Sequence, residues 1–446
     1  MYYKNLSFLV AGLQKSGLSS AELLISKGAT VFIYDKRQSD IVLKNKEKLI
    51  SLGCVYIDDY EKAVEFCDVL VVSPGVPIDS DICKVFKSNQ KRIIGETELG
   101  FINSVTPIVS VTGTNGKTTV CNMIHKCLLS SGVSSVLAGN VGYPLTSKIN
   151  ELKDKDICVL EVSSYQLETT YLFCPHISVV LNITPDHLER HYSMENYALV
   201  KSKAVIPLRE SEYAVLNYDD EIVRDFSKLT RGNVLYFSLY EKVNGAYLDG
   251  DKIFFNGEEL FEVKDLSLKE SHNLLNALAT VCALKALKIS NEDIKKSLCS
   301  FKGVKHRYEE VRVVNGVKFI NDSKSTNEAS SITAVQNLKS PTVLILGGAD
   351  KGLDYTNLFS EIKNSCHIKH TIITGESAAL MLGYAVKGCV DNVMTVKGFE
   401  NAVKTAYRLA FDGDTVLLSP ATSSFDEFKD YEERGDRFVE IVNGFE

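Results

Sequence analysis

Short apolar runs recur along this chain. Each closes on glycine or polar residues, and most are followed by apolar positions at helical spacing. Runs at residues 6–11, 30–34 and 68–72 open the sequence. A helical pattern fills residues 18–26 and stops at Gly28, which suits a helix end. The third run closes on Ser73-Pro74-Gly75-Val76-Pro77, a loop by composition. From Thr106-Pro107 onward the runs fall at 109–112, 136–138, 157–160, 177–181 and 214–217. They are continuous rather than alternating, the pattern of strands buried on both faces of a parallel sheet. Asp249-Gly250-Asp251 predicts a turn between hairpin strands, and residues 273–287 predict a helix. The pattern restarts around Gly303. Residues 311–314 and 317–320 flank Asn315-Gly316, a strong hairpin signal, and further strands are predicted at 343–346, 371–374 and 415–418.

This order predicts an α/β protein of three domains. A Rossmann-like N-terminal domain covers residues 1–104, a central P-loop ATPase-like domain 105–302, and a C-terminal Rossmann-like α/β domain 303–446. Ligands of open α/β sheets bind outside the carboxyl ends of the strands. The polar residues that close each run are therefore the candidate site residues.

Composition narrows the class without naming a reaction. The 446 residues carry a net charge of −7 and contain no basic block, so nucleic acid is not an expected partner. Eleven scattered cysteines without a Cys-x-x-Cys pair argue against a disulfide framework or a zinc site. No apolar run approaches membrane-spanning length and no signal-peptide layout opens the chain, so a cytoplasmic enzyme that avoids membranes is expected.

The most specific chemistry lies in Gly113-Thr114-Asn115-Gly116-Lys117-Thr118-Thr119, after an apolar run and before a helical pattern. Glycines there turn backbone N–H groups toward phosphate oxygens, and the helix adds the positive end of its dipole. Lys117 would neutralise phosphate charge and Thr118 would offer a hydroxyl to Mg²⁺. The loop Gly12-Leu13-Gln14-Lys15-Ser16-Gly17 lacks the middle glycine of the dinucleotide fingerprint, with Gln14 in its place. That weakens NAD and leaves a different nucleotide, such as a UDP-sugar, with Asp35 placed to accept ribose hydroxyls. Glu161, at the end of a strand, suits a metal or a nucleophile. His187 follows a strand in Thr184-Pro185-Asp186-His187, and Lys201 and Lys203 fall on a predicted helix. A lone histidine or a helical lysine is more often structural or solvated than functional. In the third stretch, Asp322 suits ribose hydroxyls, Lys324, Thr326 and Lys351 suit a carboxylate, and Arg307 suits a phosphate.

Taken together these segments resemble the Mur ligase family, ATP-dependent amide ligases that build the peptidoglycan peptide. The resemblance spans essentially the whole chain. It is carried by the short phosphate loop, Glu161-Val162-Ser163-Ser164-Tyr165-Gln166-Leu167-Glu168, Asn182-Ile183-Thr184-Pro185-Asp186-His187-Leu188, Ser271-His272-Asn273 and His306-Arg307. In the third stretch, Asn321-Asp322-Ser323-Lys324-Ser325-Thr326-Asn327, residues 418–428 and Glu432-Glu433-Arg434-Gly435 look like the signature of D-glutamate addition.

The resemblance implies ATP, Mg²⁺, UDP-N-acetylmuramoyl-L-alanine and D-glutamate as ligands of a monomeric enzyme. It implies Lys117, Glu161, His187 and Lys201 as catalytic residues, with Thr118, Glu161, His187 and Lys201 around metal. Lys201, four residues after Tyr197, matches a family lysine that is carbamylated, with Lys203 as the fallback. ATP would be served by residues 113–119 together with Asn273, Arg307 and Asp322. The UDP-sugar would be held by Gln14, Lys15, Ser16, Asp35, Ser73 and Asn140. D-Glutamate would be held by Lys324, Thr326, Lys351, Ser424 and Phe425. Two other readings share the phosphate loop. A folylpolyglutamate-type ligase would need a folate site, against which the Rossmann-like first domain argues. An ATP-hydrolysing switch would leave the third-domain polar loops without a purpose.

Overall fold

The computed structural model describes residues 3–154, 156–350 and 354–446. Among these the strands form three sheets. The chain divides into two compact units, Met1–Lys302 and Gly303–Glu446, of which the first holds two sheets and the second holds one.

The first sheet contains β1 (Ser7–Ala11), β2 (Thr30–Tyr34), β3 (Val55–Tyr56), β4 (Val69–Val72) and β5 (Arg92–Gly95), all parallel, in the order β3-β2-β1-β4-β5. The chain changes direction across the sheet between β1 and β4, so a crevice opens at their carboxyl ends. Gly12 leaves β1 at φ 89°, where a side chain would be strained and would meet Ser73 at 3.0 Å. The Ser73 hydroxyl donates to the Gly12 carbonyl at 2.8 Å and ties the two loops. Neither β3 nor β5 was legible as an apolar run, because β3 spans only two residues and β5 begins with an arginine and ends with a glycine.

The second sheet contains β6 (Ile108–Thr112), β7 (Ser135–Gly139), β8 (Ile157–Glu161), β9 (Ile177–Val180), β10 (Tyr213–Asn217), β11 (Asn233–Ser238), β12 (Gly245–Asp249), β13 (Lys252–Phe255) and β14 (Glu258–Glu262). Their order is β14-β13-β12-β11-β10-β9-β6-β8-β7, parallel from β7 to β12 and antiparallel at β13 and β14. β6 is buried along its whole length between β8 and β9. Its register sets Val111 opposite Glu161 and Thr112 opposite Val180. That pairing brings Glu161 level with the start of the phosphate loop.

One apolar cluster runs from Phe8, Val10, Leu24 and Ile33 through Leu99 and Leu145 to Cys158, Leu160 and Phe173, joining both sheets of the first unit. The boundary expected at 104/105 lies inside that unit. Helix Glu96–Asn103 forms the seam. The Glu96 carboxylate accepts the Thr146 N–H at 2.7 Å and its hydroxyl at 2.9 Å. Glu98 accepts the N–H groups of Tyr171 and Leu172 at 3.1 and 2.8 Å. Both side chains are buried, and both find the hydrogen-bond partners that buried polar groups require.

The third sheet contains β15 (Glu309–Val314), β16 (Val317–Asn321), β17 (Thr342–Gly347), β18 (Ile368–Thr374), β19 (Val393–Thr395) and β20 (Thr415–Leu418), in the order β15-β16-β20-β17-β18-β19. The edge hairpin turns through Asn315 and Gly316, both at positive φ (48° and 78°), as the sequence pattern predicts. The other strands are parallel, and a separate apolar cluster lies on each face. Leu418 pairs with both Asn321 and Ile345, so the loops after β16, β20 and β17 leave the sheet side by side. No helix among the described residues is long and apolar enough to cross a membrane.

Candidate active site

The phosphate loop joins β6 to helix Lys117–Ser130 and is built by its glycines. Gly116 caps the helix in the left-handed region (φ 84°), and a Cβ there would stand 2.4 Å from the Asn276 side-chain oxygen. Gly113 (φ 149°) lies against Leu181, where a Cβ would meet that side chain at 2.9 Å. The loop is pinned to the segment after β9. The N–H groups of Thr114 and Asn115 donate to the Asn182 backbone and side-chain oxygens at 2.9 and 2.8 Å, and the Thr114 hydroxyl donates to the Thr184 carbonyl at 3.2 Å. Lys117 folds back over the loop, donating to the carbonyls of Gly113 (2.9 Å) and Thr114 (2.7 Å).

Thr118 and Thr119 are buried in the first helical turn. The Thr118 hydroxyl donates to Glu161 Oε2 at 2.7 Å, and the Asn140 amide donates to Glu161 Oε1 at 2.8 Å. The three candidates thus meet at the ends of β6, β7 and β8. A buried carboxylate beside a hydroxyl is an oxygen donor set of the kind a hard cation takes. No group of three or more His, Cys, Asp or Glu side chains placed to hold a metal occurs among the described residues. Such a sparse protein contribution fits Mg²⁺, which keeps waters and phosphate oxygens as its remaining ligands.

Lys201 lies near the end of helix Met194–Ser202 and is 1% exposed. Its amine donates to the Gly113 carbonyl at 2.9 Å, the same oxygen that Lys117 uses. Burial, then the nearby Lys117 charge, push its ammonium well below the usual lysine range, against an opposing pull from Asp186. Lys203 points away and donates to the Glu168 carbonyl at 2.7 Å. The geometry therefore distinguishes two lysines that helical position alone left as alternatives.

His187 is half exposed and holds a left-handed backbone (φ 54°), unusual for a residue with a Cβ. Its ring lies 4.9 Å from that of Tyr165 and within 3.6 Å of the carboxylates of Asp186 and Glu189.

In the first crevice Gln14 and Lys15 are exposed at the start of helix Lys15–Ser26, with Ser16 beside them. Asp35 is buried at the end of β2 and already engaged. It accepts the Leu13 N–H at 2.7 Å, the Arg37 N–H at 3.0 Å and the Arg37 guanidinium at 2.9 and 2.7 Å. Burial opposes ionisation, but Arg37 and these N–H groups hold the carboxyl below the usual range. Asp35 thus braces the loop and Arg37, a use that an acid at a strand end does not reveal in sequence.

In the second unit Asp322 is buried at the end of β16, accepting the Ser325 and Ser419 hydroxyls and the Tyr308 N–H. Burial pushes its carboxyl up to about 6, with Arg307 among the groups opposing the shift. Arg307 itself is exposed. Lys324 stands over the Tyr431 ring at 5.7 Å, with Thr326 two residues on. Ser424 is buried, and its hydroxyl makes no hydrogen bond to the described residues, as suits a group awaiting a polar ligand. Phe425 is 71% exposed. Lys351 lies outside the described residues. Asn273 belongs to the first unit, in the first turn of helix Ser271–Ala286, where its amide donates to Glu270 at 3.0 Å.

Two residues escaped the sequence reading, and a third, Arg434, stood in a quoted motif without a role of its own. Asn276, three positions beyond Asn273 on the same helix, packs against Gly116. Tyr431 faces Lys324. Arg434, 1% exposed, donates to the Ser323 hydroxyl (3.0 Å), the Ser323 carbonyl (3.0 Å) and the Thr422 carbonyl (3.1 Å), tying the loops after β16 and β20. Burial brings its guanidinium down to about 10. An arginine beside two glutamates in sequence reads as a surface charge, and only helix Tyr431–Asn443 turning it inward shows otherwise.

A phosphate loop flanked by a buried threonine–glutamate pair, preceded by a Rossmann-like crevice and followed by a second α/β unit, defines an ATP-using ligase. Comparison with known proteins agrees along the whole chain. Residues 6–95 match the MurD-like N-terminal domain of Mur ligases, residues 111–284 the Mur ligase middle domain, and residues 306–422 the Mur ligase glutamate ligase domain. The chain belongs to the Mur ligase family. It is 40% identical to the UDP-N-acetylmuramoylalanine–D-glutamate ligase of Thermoanaerobacter sp. (strain X514), over 99% of both chains. It is 37% identical to the ligase of the same name from Clostridioides difficile (strain 630), again over 99% of both. The fold is also that of MurF from Acinetobacter baumannii (TM-score 0.63, 16% identity, 97% of this chain and 93% of that one). MurC from Thermotoga maritima shares it as well (TM-score 0.57, 17% identity, 98% and 99%).

Proposed function

We propose that this chain joins D-glutamate to the L-alanyl carboxylate of UDP-N-acetylmuramoyl-L-alanine, converting ATP to ADP and phosphate, in the cytoplasm and as a monomer. The full-length similarity to ligases of that name carries the reading, and the Thr118–Glu161–Asn140 cluster beside the phosphate loop supports it. A carboxylate is a poor acyl donor, so it first attacks the γ-phosphorus of ATP, giving an acyl phosphate and ADP. The D-glutamate amine then attacks the acyl carbon and phosphate leaves. Mg²⁺, when bound, neutralises phosphate charge as it develops.

Lys117 leaves its loop carbonyls to meet the β/γ-phosphates. Thr118 would hold one Mg²⁺, and Glu161, His187 and carbamylated Lys201 would hold or organise a second metal site. Lys201 is carbamylated in the working enzyme. Its depressed ammonium supports this, because the neutral amine is the form that adds CO₂. As a carbamate it would place a negative charge beside Lys117 and the metal. Asn140 positions the sugar nucleotide, whose uridine end is held by Gln14, Lys15, Ser16, Asp35 and Ser73. Asn273, Arg307 and Asp322 serve the adenosine side of ATP. Lys324, Thr326, Lys351, Ser424 and Phe425 hold D-glutamate.

The deciding experiment measures phosphate release from MgATP with UDP-N-acetylmuramoyl-L-alanine and D-glutamate, L-glutamate, lysine or no amino acid, with product masses. Release and a mass gain with D-glutamate alone establish substrate and stereochemistry together. Release with lysine instead would replace the amino-acid assignment.

A further inference from the structure

The segment carrying His187 is held in an unusual way. Helix Leu188–His191 is a single turn, bounded by two non-glycine residues in the left-handed region, His187 (φ 54°) and Tyr192 (φ 67°). Such backbone persists only where its surroundings over-determine it.

His191 is buried in this turn with Nε2 3.0 Å from the Ser164 hydroxyl, and Arg190 ties the turn to two other segments. Arg190 forks onto Glu168, with Nε 3.0 Å from Oε1 and Nη2 2.5 Å from Oε2; the two side chains are 13% and 7% exposed. The same Nη2 donates to the Val76 carbonyl at 3.1 Å. Val76 belongs to the loop after β4, which begins at Ser73 on the rim of the first crevice. The guanidinium also lies over the Tyr165 ring at 5.0 Å, and that ring neighbours the His187 imidazole at 4.9 Å. Three residues beyond Val76, Asp79 accepts the Tyr192 hydroxyl. Among the described residues around Glu168, the His191 imidazole lies 3.5 Å away, its pKa lowered chiefly by burial, and Lys203 donates to the Glu168 carbonyl rather than to its carboxylate.

We propose that Arg190 is a positioning residue that holds the His187 turn and fastens it to the 76–79 loop of the sugar-nucleotide crevice. The inference rests on the activity proposed above. A planar fork grips the carboxylate at two points while also reaching the carbonyl; a lysine ammonium keeps the charge and loses that bidentate geometry. A sugar nucleotide that orders the loop thereby also biases the turn that presents His187.

The test uses the full chain with Arg190→Lys and Tyr192→Phe. It combines melting temperature, turnover per folded enzyme, KM for each substrate, and backbone hydrogen exchange of residues 73–80. Arg190→Lys is expected to fold, to lose about tenfold or more in kcat with a raised KM for the sugar nucleotide, and to keep its KM for ATP and D-glutamate. Exchange in 73–80 should quicken. Tyr192→Phe, at a position 72% exposed and so safe for folding, should raise the sugar-nucleotide KM by about threefold at unchanged kcat. Parental kcat, KM and exchange in a folded Arg190→Lys protein would overturn the proposal, as would an activity loss matched by the unfolded fraction alone. An inactive parent would fail the proposed function instead, and the exchange comparison would still decide whether Arg190 fastens the loop.

Discussion

At the scale of single residues, burial decides which titratable groups are chemically unusual. Lys201 reads in sequence as one of several helical lysines, yet it is among the most buried side chains of the protein and shares a carbonyl with Lys117. Lys201→Ala should remove most turnover, with partial recovery on adding a small carboxylic acid that fills the place of a carbamate. Full activity in that variant would withdraw the role, and loss only in Lys203→Ala would move it there. Asp322 behaves oppositely from a surface aspartate. Its carboxyl is raised to about 6, so the ribose contact proposed for it would weaken as the charge is lost when pH falls through that value. KM for ATP should therefore rise between pH 7 and pH 5, a trend that Asp322→Asn should flatten. The linkage to stability has the other sign: a carboxyl raised on folding favours the folded second unit as pH drops toward the ordinary carboxyl range. Weakened ATP binding with an intact fold is thus the expected combination.

At the scale of elements, the phosphate loop, strands β6 to β10 of the central sheet and the Asn315-Gly316 hairpin stand where periodicity and turn chemistry put them. Each is specified by neighbours in sequence: a glycine at positive φ, an apolar run, a turn pair. β3, β5, β11, β14 and β19 went unread, being short or mixed in polarity and held in place by neighbouring strands rather than by their own pattern. Gly116 is the sharpest requirement in any single element. Gly116→Ala combines a left-handed φ of 84° with a Cβ 2.4 Å from Asn276. It should cost about 1–3 kcal/mol of local strain and abolish ATP binding, checked by nucleotide titration of a protein whose circular dichroism is unchanged.

At the scale of the whole molecule, the candidate residues are distributed over both compact units, with the phosphate loop and the first crevice in one and Asp322, Lys324 and Ser424 in the other. Within the first unit the crevice and the phosphate loop belong to separate sheets that share one apolar cluster. Lys117→Ala should consequently end turnover while leaving sugar-nucleotide affinity within about twofold, measured by calorimetry, since the carbonyls that Lys117 meets, those of Gly113 and Thr114, belong to its own loop. Joint loss of binding and turnover in a folded variant would mean that the two sites are not separable.

By itself the sequence determined what rests on contiguous residues: the α/β alternation, the phosphate loop, the polar strand ends, and the order of motifs that marks the family. These signals are local because backbone sterics and side-chain periodicity act over a few residues. Tertiary structure decided which strand ends meet. Strand register brought Glu161 to Thr118, and β7 set Asn140 on the other carboxylate oxygen. Packing buried Lys201 against the phosphate loop, sent Lys203 to the Glu168 carbonyl, set Arg37 against Asp35, and drew Arg434 inward. Such pairings depend on register and on the cost of burying charge without a partner, and a list of residues carries neither until the chain is folded.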